Sequence, residues 1–482
     1  MKTLATRCRT KIIATVGPSC DQEFEMTKLL QLGVDLFRFN FSHGDLAAKK
    51  RQIGRIRRLA EENGQVIGLL ADLQGPKIRI GDLPQEPIIL AQGDAVSLTL
   101  EQPFGTQSIP ILDRFLVDDI QVGQHVLIDD GKIDLLVLDK SNQSLQCQVV
   151  VGGPITSRKG LNLPDSVLSV PALTSKDVQD LAFILDEDFD FVALSFVRQA
   201  SDIEELRHKI NAHGKKIEII AKIEKPEAVE DFPKILAATD GIMVARGDLG
   251  VEMKLEKVPM IQKNIIRACI AAGKPVITAT QMLESMISRP VPTRAETSDA
   301  ANAILDGSDA LMLSGETSVG KFPGEAVQVL SRIAGEVEQE LYANRKCSSI
   351  FLKERASDDF TSIDEAIAQA ACRTALTVKA GLIVAFTKTG STARLLAKNR
   401  PLVPILALTT SPQVQKQLSI LHGVRSMSID MQADTESLIR TAEETILAHR
   451  LLPPAAIIVI TLGSPVSEPG TTNLIKVQQI PG

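Results

Sequence analysis

Short apolar runs rich in β-branched residues recur along the first two thirds of the chain and alternate with segments of helical periodicity. Each run has the length and composition of a buried strand, and most are followed by a stretch that predicts an amphipathic helix. The runs begin at Lys11, Val34, Val66, Phe191, Ile217, Gly241, Lys274 and Ala310. Eight strand–helix units of this kind predict an α/β fold built on a (β/α)8 barrel.

The alternation is interrupted between residues 75 and 170, where strand-like runs follow one another without long helical segments. Turns in this interval are rich in Gly, Asp and Asn, and the pair Asp130-Gly131 is a hairpin signal. We therefore predict an all-β domain inserted after the third barrel strand. Because that point lies at the carboxyl ends of the barrel strands, the inserted domain is expected to act as a lid over a site there.

Beyond about residue 344 the chain becomes polar and irregular, and a second alternation of helices and strands then begins near Ile363. Its apolar runs (LIVAFTK, PILALTT, VRSMSI and AAIIVITLG) predict a smaller open sheet. The predicted domains are the barrel, residues 1–74 and 171–344, the inserted lid, residues 75–170, and a C-terminal α/β domain, residues 345–482.

Composition and charge narrow the classes of function. Trp is absent, Tyr occurs once and the net charge is −6, so base stacking and attraction to nucleic acid or anionic membranes are poorly supported. The sequence has no apolar run long enough to span a bilayer and no signal-peptide core near its start. The six cysteines are scattered without a CxxC pair, which is typical of reduced thiols. We expect a cytoplasmic protein that binds neither nucleic acid nor membrane.

Charged residues interrupt two of the predicted strands near their ends. The run IEIIAKIE carries Lys222 and Glu224, and the run GIMVARGD carries Arg246 and Asp248. The carboxyl ends of barrel strands share one rim, so these groups are expected to lie close together. Surface salt bridges are the alternative interpretation, which the expected burial of both strands disfavours.

Other predicted strands also end in polar residues. A helix cap or an isolated ion pair would explain any one of them, but six of the eight strands carry such groups at the same end. Oxygen ligands favour Mg²⁺ or Mn²⁺ over zinc, and clustered cations favour an anionic substrate, so the pattern indicates phosphoryl transfer. The additional residues are Arg38, Asn40, Ser42, Asp72, Lys77, Arg79, Thr278, Thr280, Ser314 and Glu316.

Two other kinds of enzyme remain compatible with these residues. A lysine at a strand end can form the Schiff base of an aldolase, and a Glu/Asp pair can hold the metal of a lyase that forms an enolate. Resistance to chelators, together with inactivation by borohydride plus substrate, would identify the aldolase. No Walker loop or Gly-rich kinase loop is present, so any nucleotide must bind in another way.

Several long motifs resemble the pyruvate kinase family, from about Arg9 almost to the end of the chain. The resemblance implies a barrel, an inserted β domain and a C-terminal α/β domain, in agreement with the predicted layout. It also implies a glycolytic homotetramer that transfers phosphate from phosphoenolpyruvate to ADP, giving pyruvate and ATP, and then protonates the enolate. The motifs are FRFNFSHG, DLQGPKIR, SRKGLNLP, IAKIEKPEAV, DGIMVARGDLGVE, PVITATQMLESM and PVPTRAETSDAANAILDGSDALMLSGETSVGKFP.

The resemblance further implies roles for the charged residues at the rim. Lys222 would stabilise negative charge on the transferring phosphoryl group and on the enolate oxygen. Glu224 and Asp248 would hold Mg²⁺. The backbone amides of Gly247 and Asp248, together with Thr280, would hold the substrate carboxylate.

The remaining roles that the resemblance implies concern phosphate and the proton. Arg38 and Arg79 would grip phosphate, and Lys159 of the inserted domain would reach the nucleotide. Ser314 and Glu316, with Thr280, are candidates for delivering a proton to the enolate through water.

The chain departs from the family at the site for a monovalent cation. Members that need K⁺ carry Glu where this chain has Lys77 and Thr where it has Leu73, whereas Asn40, Ser42 and Asp72 match their K⁺ ligands. An ammonium group at the rim can supply the charge that K⁺ otherwise provides. We therefore predict activity without K⁺; pairing of Lys77 with a surface carboxylate is the alternative.

The C-terminal domain carries the motif TKTGST between a predicted strand and a predicted helix, an arrangement suited to phosphate. In the family this motif and a second loop, here Gly463 to Thr472, form an effector pocket. The second loop contains Glu468 and no Lys or Arg, so we predict activation by a monophosphorylated sugar or nucleotide over a bisphosphate. A simple helix cap is the alternative. The motif residues are Thr387, Lys388, Thr389, Gly390, Ser391 and Thr392.

Overall fold

A computed structural model describes residues 8–101, 107–166, 168–343, 362–432, 434–463 and 471–481. The strands are β1 (Lys11–Thr15), β2 (Leu36–Asn40), β3 (Gly68–Asp72), β4 (Ile88–Leu90), β5 (Ala95–Thr99), β6 (Ser108–Pro110), β7 (His125–Ile128), β8 (Ile133–Lys140), β9 (Ser144–Val151), β10 (Gly153–Ile155), β11 (Leu161–Asn162), β12 (Phe191–Leu194), β13 (Glu218–Ile223), β14 (Gly241–Ala245), β15 (Val276–Ala279), β16 (Ala310–Leu313), β17 (Leu382–Phe386), β18 (Ile405–Thr409), β19 (Val424–Ser428), β20 (Ile457–Leu462) and β21 (Leu474–Gln479).

The helices lie mostly between the strands. They are α1 (Glu23–Leu32), α2 (Leu46–Glu62), α3 (Arg114–Asp119), α4 (Ser175–Asp186), α5 (Ala200–Ala212), α6 (Pro226–Glu230), α7 (Phe232–Ala238), α8 (Arg246–Glu252), α9 (Val258–Ala272), α10 (Arg294–Leu305), α11 (Gly315–Ser318), α12 (Pro323–Ala343), α13 (Ile363–Thr377), α14 (Ser391–Lys398), α15 (Pro412–Gln417) and α16 (Thr435–Ala448). None of the helices in these ranges is both long and apolar enough to cross a membrane.

Eight parallel strands close into the predicted barrel, in the order β1-β16-β15-β14-β13-β12-β3-β2. Side chains alternate between the interior and the surrounding helices, as the period of a strand requires. On β13, Ile219, Ala221 and Ile223 pack in the cluster that includes the helices, whereas Ile220 packs in the barrel interior. Lys222 therefore shares the inward face of Ile220 and lies at the carboxyl end of the strand. The predicted fold class is confirmed.

The segment between β3 and α4 forms a separate small structure with its own apolar core. A six-stranded sheet has the order β11-β7-β8-β9-β5-β6, and β4 pairs with β10. The predicted hairpin at Asp130-Gly131 joins β7 to β8, and both aspartates, Asp129 and Asp130, have positive φ. One short helix, α3, interrupts this otherwise β-rich segment, which the sequence pattern did not predict.

The C-terminal sheet has the order β19-β18-β17-β20-β21. The four predicted strands run parallel, and β21 adds an antiparallel edge that the sequence analysis missed. This sheet and its helices pack against the amino-terminal end of the barrel, away from the rim that carries Lys222. Lys11 donates to the carbonyl of Val424 at 2.7 Å, and Arg400 pairs with Asp309 at 3.0 Å. The predicted polar linker lies in residues 344–361, outside the described ranges.

Candidate active site

The carboxyl ends of β2, β3, β12, β13 and β14 surround a cavity of about 170 Å³. Residues of the inserted segment form its opposite wall, so the cavity lies between the barrel rim and the lid. Many predicted site residues contribute to its lining. They are Arg38, Asn40, Ser42, Asp72, Leu73, Lys77, Lys222, Glu224 and Asp248.

Lys222 is held by three neighbours at the base of this cavity. Its Nζ lies 2.8 Å from a carboxylate oxygen of Glu224 and 3.2 Å from one of Asp72, and it donates to Ser195 Oγ at 2.7 Å. Burial disfavours the charged form, but Asp72 and Glu224 outweigh it and raise the pKa of Lys222 above its ordinary value. Lys222 is therefore a fixed positive charge.

Asp72 ties β2 to β3 beneath Lys222. Its carboxylate receives Arg38 at 2.6 and 2.7 Å, and Arg38 also donates to Thr15 Oγ1 at 3.1 Å. Although Asp72 is almost fully buried, the positive charges of Lys222 and Arg38 hold the pKa of Asp72 below its ordinary value. These contacts orient the Arg38 guanidinium, a group whose planar donors can also bind phosphate.

Glu224 and Asp248 bring two carboxylates to the same cavity. Glu224 accepts a hydrogen bond from the Phe196 amide at 2.8 Å, which fixes its orientation. Burial and the charge of Glu224 raise the pKa of Asp248 to about 6, partly offset by Lys222 and Lys77. Within the described ranges no three His, Cys, Asp or Glu side chains form a metal-binding group. A divalent cation here would therefore have two protein carboxylates and take its other ligands from water or substrate, which is usual for Mg²⁺.

Thr280 and Gly247 meet beside this pair. The Thr280 hydroxyl accepts from the Gly247 amide at 2.6 Å and contacts the Ala279 carbonyl at 2.6 Å. Thr280 has φ +67°, a strained backbone that is held by the start of α8. A Cβ at Gly247 would lie 3.3 Å from the Thr280 hydroxyl, so glycine permits this close approach.

Ser314 and Glu316 do not line the cavity in this structure. Glu316 is 1% exposed, and its two oxygens accept from the amides of Leu283 at 3.0 Å and Ser314 at 2.8 Å. These contacts give Glu316 a role in holding the loop after β16. Neither residue is brought into contact with Lys222.

The residues matched to a K⁺ site lie together in the lining of this cavity, but some of their oxygens accept hydrogen bonds from protein groups. Asn40 Oδ1 accepts from the Ser42 amide at 2.9 Å, and the Leu73 carbonyl accepts from Ser195 Oγ at 2.7 Å. Lys77 is exposed at the mouth of the same cavity. Its charge is among those that lower the pKa of Asp248.

Arg79 and Lys159 belong to the inserted segment and lie outside the cavity lining. Arg79 donates to the Arg158 carbonyl at 2.9 Å, and its backbone bridges to Gly160. Lys159 pairs with Asp129 at 2.9 Å. The structure therefore places both cations in the inserted segment, outside the lining of the cavity that contains Lys222.

A second cavity, of about 90 Å³, lies in the C-terminal domain. Gly390 has φ +90° and its amide donates to Thr387 Oγ1 at 2.9 Å, so the motif turns tightly into α14. Much of the second predicted loop, residues 464–470, lies outside the described ranges. The lining includes Thr387, Lys388, Thr389, Ser391, Thr392, Gly463 and Thr471.

The cavity lining also contains residues that the sequence analysis missed, among them Ser195, Asn162, Lys225 and Glu252. Ser195 is 2% exposed and carries the hydroxyl between Lys222 and Leu73. A polar residue within the apolar run FVALSFV was the available signal. Glu252 pairs with Lys225 and with Asn162, two contacts that no sequence spacing reveals.

Comparisons with known proteins point to one family. A family profile described as "Pyruvate kinase, barrel domain" matches residues 7–327, and one described as "Pyruvate kinase, alpha/beta domain" matches residues 365–478. The chain is 44% identical over 485 residues to pyruvate kinase 2 of Synechocystis sp., covering 100% of this chain and 80% of that protein. It is 42% identical over 473 residues to the pyruvate kinase of Mycobacterium intracellulare, covering 98% of each. A crystal structure of a Cryptosporidium parvum pyruvate kinase superposes with a TM-score of 0.92 at 37% identity, covering 99% of this chain and 97% of that one.

Proposed function

The chain belongs to the pyruvate kinase family of phosphotransferases, and from that premise we propose how its own residues perform the transfer from phosphoenolpyruvate to ADP. The observation that carries the proposal is the environment of Lys222. A buried ammonium between two carboxylates stays charged, as stabilisation of a phosphoryl group and an enolate oxygen requires. A Schiff-base lysine needs the opposite shift of its pKa, so the aldolase alternative is disfavoured.

We propose that Glu224 and Asp248 hold the catalytic divalent cation, Mg²⁺ or Mn²⁺. Support comes from the two converging carboxylates and from the raised pKa of Asp248, since a bound cation would offset the repulsion between them. When bound, the cation neutralises negative charge on substrate oxygens. The chain's part is to fix the carboxylates, through the Phe196 amide and through the helix that begins at Arg246.

The substrate carboxylate is proposed to bind at the start of α8. There Gly247 and Asp248 lie in the first turn, where backbone amides have no partner within the helix, and Thr280 offers a hydroxyl. In the structure the Gly247 amide donates to the Thr280 hydroxyl. Substrate binding would replace that hydrogen bond with one from the Gly247 amide to the substrate carboxylate. Arg38 would grip the phosphoryl group, because its guanidinium is already oriented by Asp72.

The nucleotide is proposed to lie under the inserted domain, in contact with Arg79 and Lys159. In its position over the barrel rim, that domain would hold these cations against the nucleotide and exclude water from the transfer. Proton delivery to the enolate is proposed to run through water held by Thr280, Ser314 and Glu316. Glu316 would act by keeping Ser314 in place, since both its oxygens already accept backbone hydrogen bonds.

We propose that the enzyme does not require K⁺. Lys77 lies at the cavity mouth, and its charge acts on Asp248, so an ammonium is available near the site where the family binds the cation. Steady-state rates in a K⁺-free tetraalkylammonium buffer test this. Rates should change less than about twofold on addition of KCl, and a many-fold rise would overturn the proposal.

An effector is proposed to bind in the C-terminal cavity, with its phosphate on the amides and hydroxyls of Thr387, Thr389 and Ser391 and on the Lys388 ammonium. These groups can hold one phosphate. A second phosphate would lack a positively charged partner, because the second loop contains no Lys or Arg. Activation curves with a sugar monophosphate, a nucleoside monophosphate and a sugar bisphosphate distinguish the ligands. A clear preference for the bisphosphate would refute the proposal.

Family membership also leads us to propose a cytoplasmic homotetramer and the three domains predicted above, 1–74 with 171–344, 75–170 and 345–482. Light scattering on the purified protein tests the tetramer. The function itself is tested by coupling pyruvate formation to oxidation of NADH, with phosphoenolpyruvate, ADP and Mg²⁺ present. Omission of either substrate should abolish the signal.

A further inference from the structure

Glu252 is a buried carboxylate at the last residue of α8, and it joins two parts of the molecule. Its Oε1 lies 2.8 Å from Lys225 Nζ and accepts from Asn162 Nδ2 at 2.8 Å. Lys225 and Glu252 are 6% and 4% exposed, so this ion pair is almost completely removed from water. Asn162 belongs to β11 of the inserted segment, whereas the other two residues belong to the barrel.

The position of Glu252 links it to both proposed metal ligands. Lys225 directly follows Glu224 in the chain, and Glu252 lies four residues after Asp248 on the same short helix. Residues four apart lie on one face of a helix. All five residues line the catalytic cavity. A displacement of Glu252 would therefore move the backbone segments that carry Glu224 and Asp248.

We propose that Glu252 is a positioning residue that latches the inserted domain over the metal ligands through Asn162. A buried carboxylate loses stability when one of its hydrogen-bond donors is withdrawn. Glu252 Oε2 already lacks a hydrogen-bond partner within the described residues. If the inserted domain moved away, Asn162 would be withdrawn and Glu252 Oε1 would keep only Lys225 as a partner. The buried Glu252 carboxylate therefore favours the closed position of the inserted domain, in which Asn162 contacts it.

A second contact reaches the same helix from the inserted domain. The turn between β7 and β8 approaches α8 closely enough that a Cβ at Gly131 would lie 3.8 Å from a methyl group of Val251. Asn162 itself pairs with Leu127 on β7, so both contacts belong to one edge of the inserted sheet. The hydrogen bond from Asn162 and the approach of this turn therefore both bring that edge close to the last turn of α8.

The latch has a defined consequence for the nucleotide, which rests on the function proposed above. Lys159, a proposed nucleotide contact, lies three residues before Asn162. If Asn162 sets the closed position, its loss should weaken ADP binding more than phosphoenolpyruvate binding, because the latter depends on barrel residues. A merely structural role would lower stability without separating the two KM values.

The test is Asn162→Ala, with Asn142→Ala as the matched control on the exposed β8–β9 turn of the same domain. Asn162→Ala leaves the buried ion pair intact, so the protein is expected to fold. We expect a rise of about tenfold in KM for ADP, the size of one hydrogen bond to a charged group, with KM for phosphoenolpyruvate within about twofold of wild type. Equal KM values for ADP in Asn162→Ala and Asn142→Ala would refute the proposed latch.

Hydrogen–deuterium exchange of residues 246–253 and 158–163 provides a readout that needs no turnover. Exchange of both segments should be faster in Asn162→Ala than in wild type and unchanged in Asn142→Ala. That result would support the latch whatever the outcome of the coupled assay. Failure of the coupled assay to detect pyruvate would refute the proposed function and leave the latch standing. Exchange equal to wild type in Asn162→Ala would refute the latch.

Discussion

Replacing Ser195 with alanine tests whether the position of Lys222 depends on its neighbours. The Ser195 hydroxyl accepts from Lys222 Nζ at 2.7 Å and donates to the Leu73 carbonyl at 2.7 Å, in a site where Ser195 is 2% exposed. The substitution removes these hydrogen bonds, and a longer one of 3.4 Å from Ser195 Oγ to Asp72 Oδ1, without adding volume. It leaves the contacts of Lys222 with Glu224 and Asp72, at 2.8 and 3.2 Å.

The expected magnitude follows from these contacts. A hydrogen bond to a charged group contributes about 1.5–3 kcal/mol. Because two carboxylates still hold Lys222, we expect the lower end of that range, and about 1.4 kcal/mol corresponds to a tenfold change in rate. We therefore predict that kcat falls by about 10- to 30-fold. The unpaired Leu73 carbonyl should also lower the free energy of unfolding by about 1–3 kcal/mol.

The assay is steady-state pyruvate formation together with calorimetric unfolding, which suits a chain without Trp. Ser419→Ala is the matched control, because Ser419 is 7% exposed and its hydroxyl has no hydrogen-bond partner among the residues that the structure describes. It should leave kcat unchanged. Ser195→Cys should recover part of the lost rate through a weaker acceptor. A kcat for Ser195→Ala within about twofold of wild type would refute the positioning of Lys222 by Ser195.

Three further predictions concern cations and pH. Lys77→Glu should make activity depend on K⁺, as measured by rates with and without KCl, and equal rates would contradict the role of Lys77. Asp248→Asn should abolish the rise in Tm that Mg²⁺ gives to wild type, and a retained rise would place the cation elsewhere. Burial raises the pKa of Asp190 from its usual 3.8 to about 7, so the folded protein retains a proton that the unfolded chain releases. The contribution of Asp190 to stability should therefore fall by up to about 4 kcal/mol as pH rises from about 4 to 7. In calorimetric scans at several pH values, Asp190→Asn should lack this contribution to the pH dependence of stability. A pH dependence equal to that of wild type would contradict the raised pKa of Asp190.

The sequence predicted the barrel because buried parallel strands are read from uninterrupted apolar runs. It also predicted that Lys222, Glu224 and Asp248 would meet, because carboxyl ends of barrel strands share a rim. Both inferences use only periodicity and topology. The edge strand β21 was missed, because its LIKVQQ pattern alternates weakly and its pairing partner decides its conformation.

The detailed contacts of the site could not be predicted in the same way. The hydrogen bond from Asn162 to Glu252 joins residues 90 positions apart, and the contact between Gly247 and Thr280 depends on a strained backbone. Such contacts arise from tertiary packing, which no local pattern encodes. The sequence therefore identified several of the charges that line the cavity, whereas the structure identified the groups that hold them.

The most direct test of the central claim is pyruvate formation from phosphoenolpyruvate and ADP by wild type and by Lys222→Met, with Mg²⁺ and without K⁺. The account predicts turnover by wild type that a chelator abolishes. Lys222→Met should lose about 10³-fold in kcat or more, because a preorganised charge is removed from the transferring group. Turnover by Lys222→Met close to that of wild type, or chelator-resistant activity that borohydride plus substrate inactivates, would contradict it.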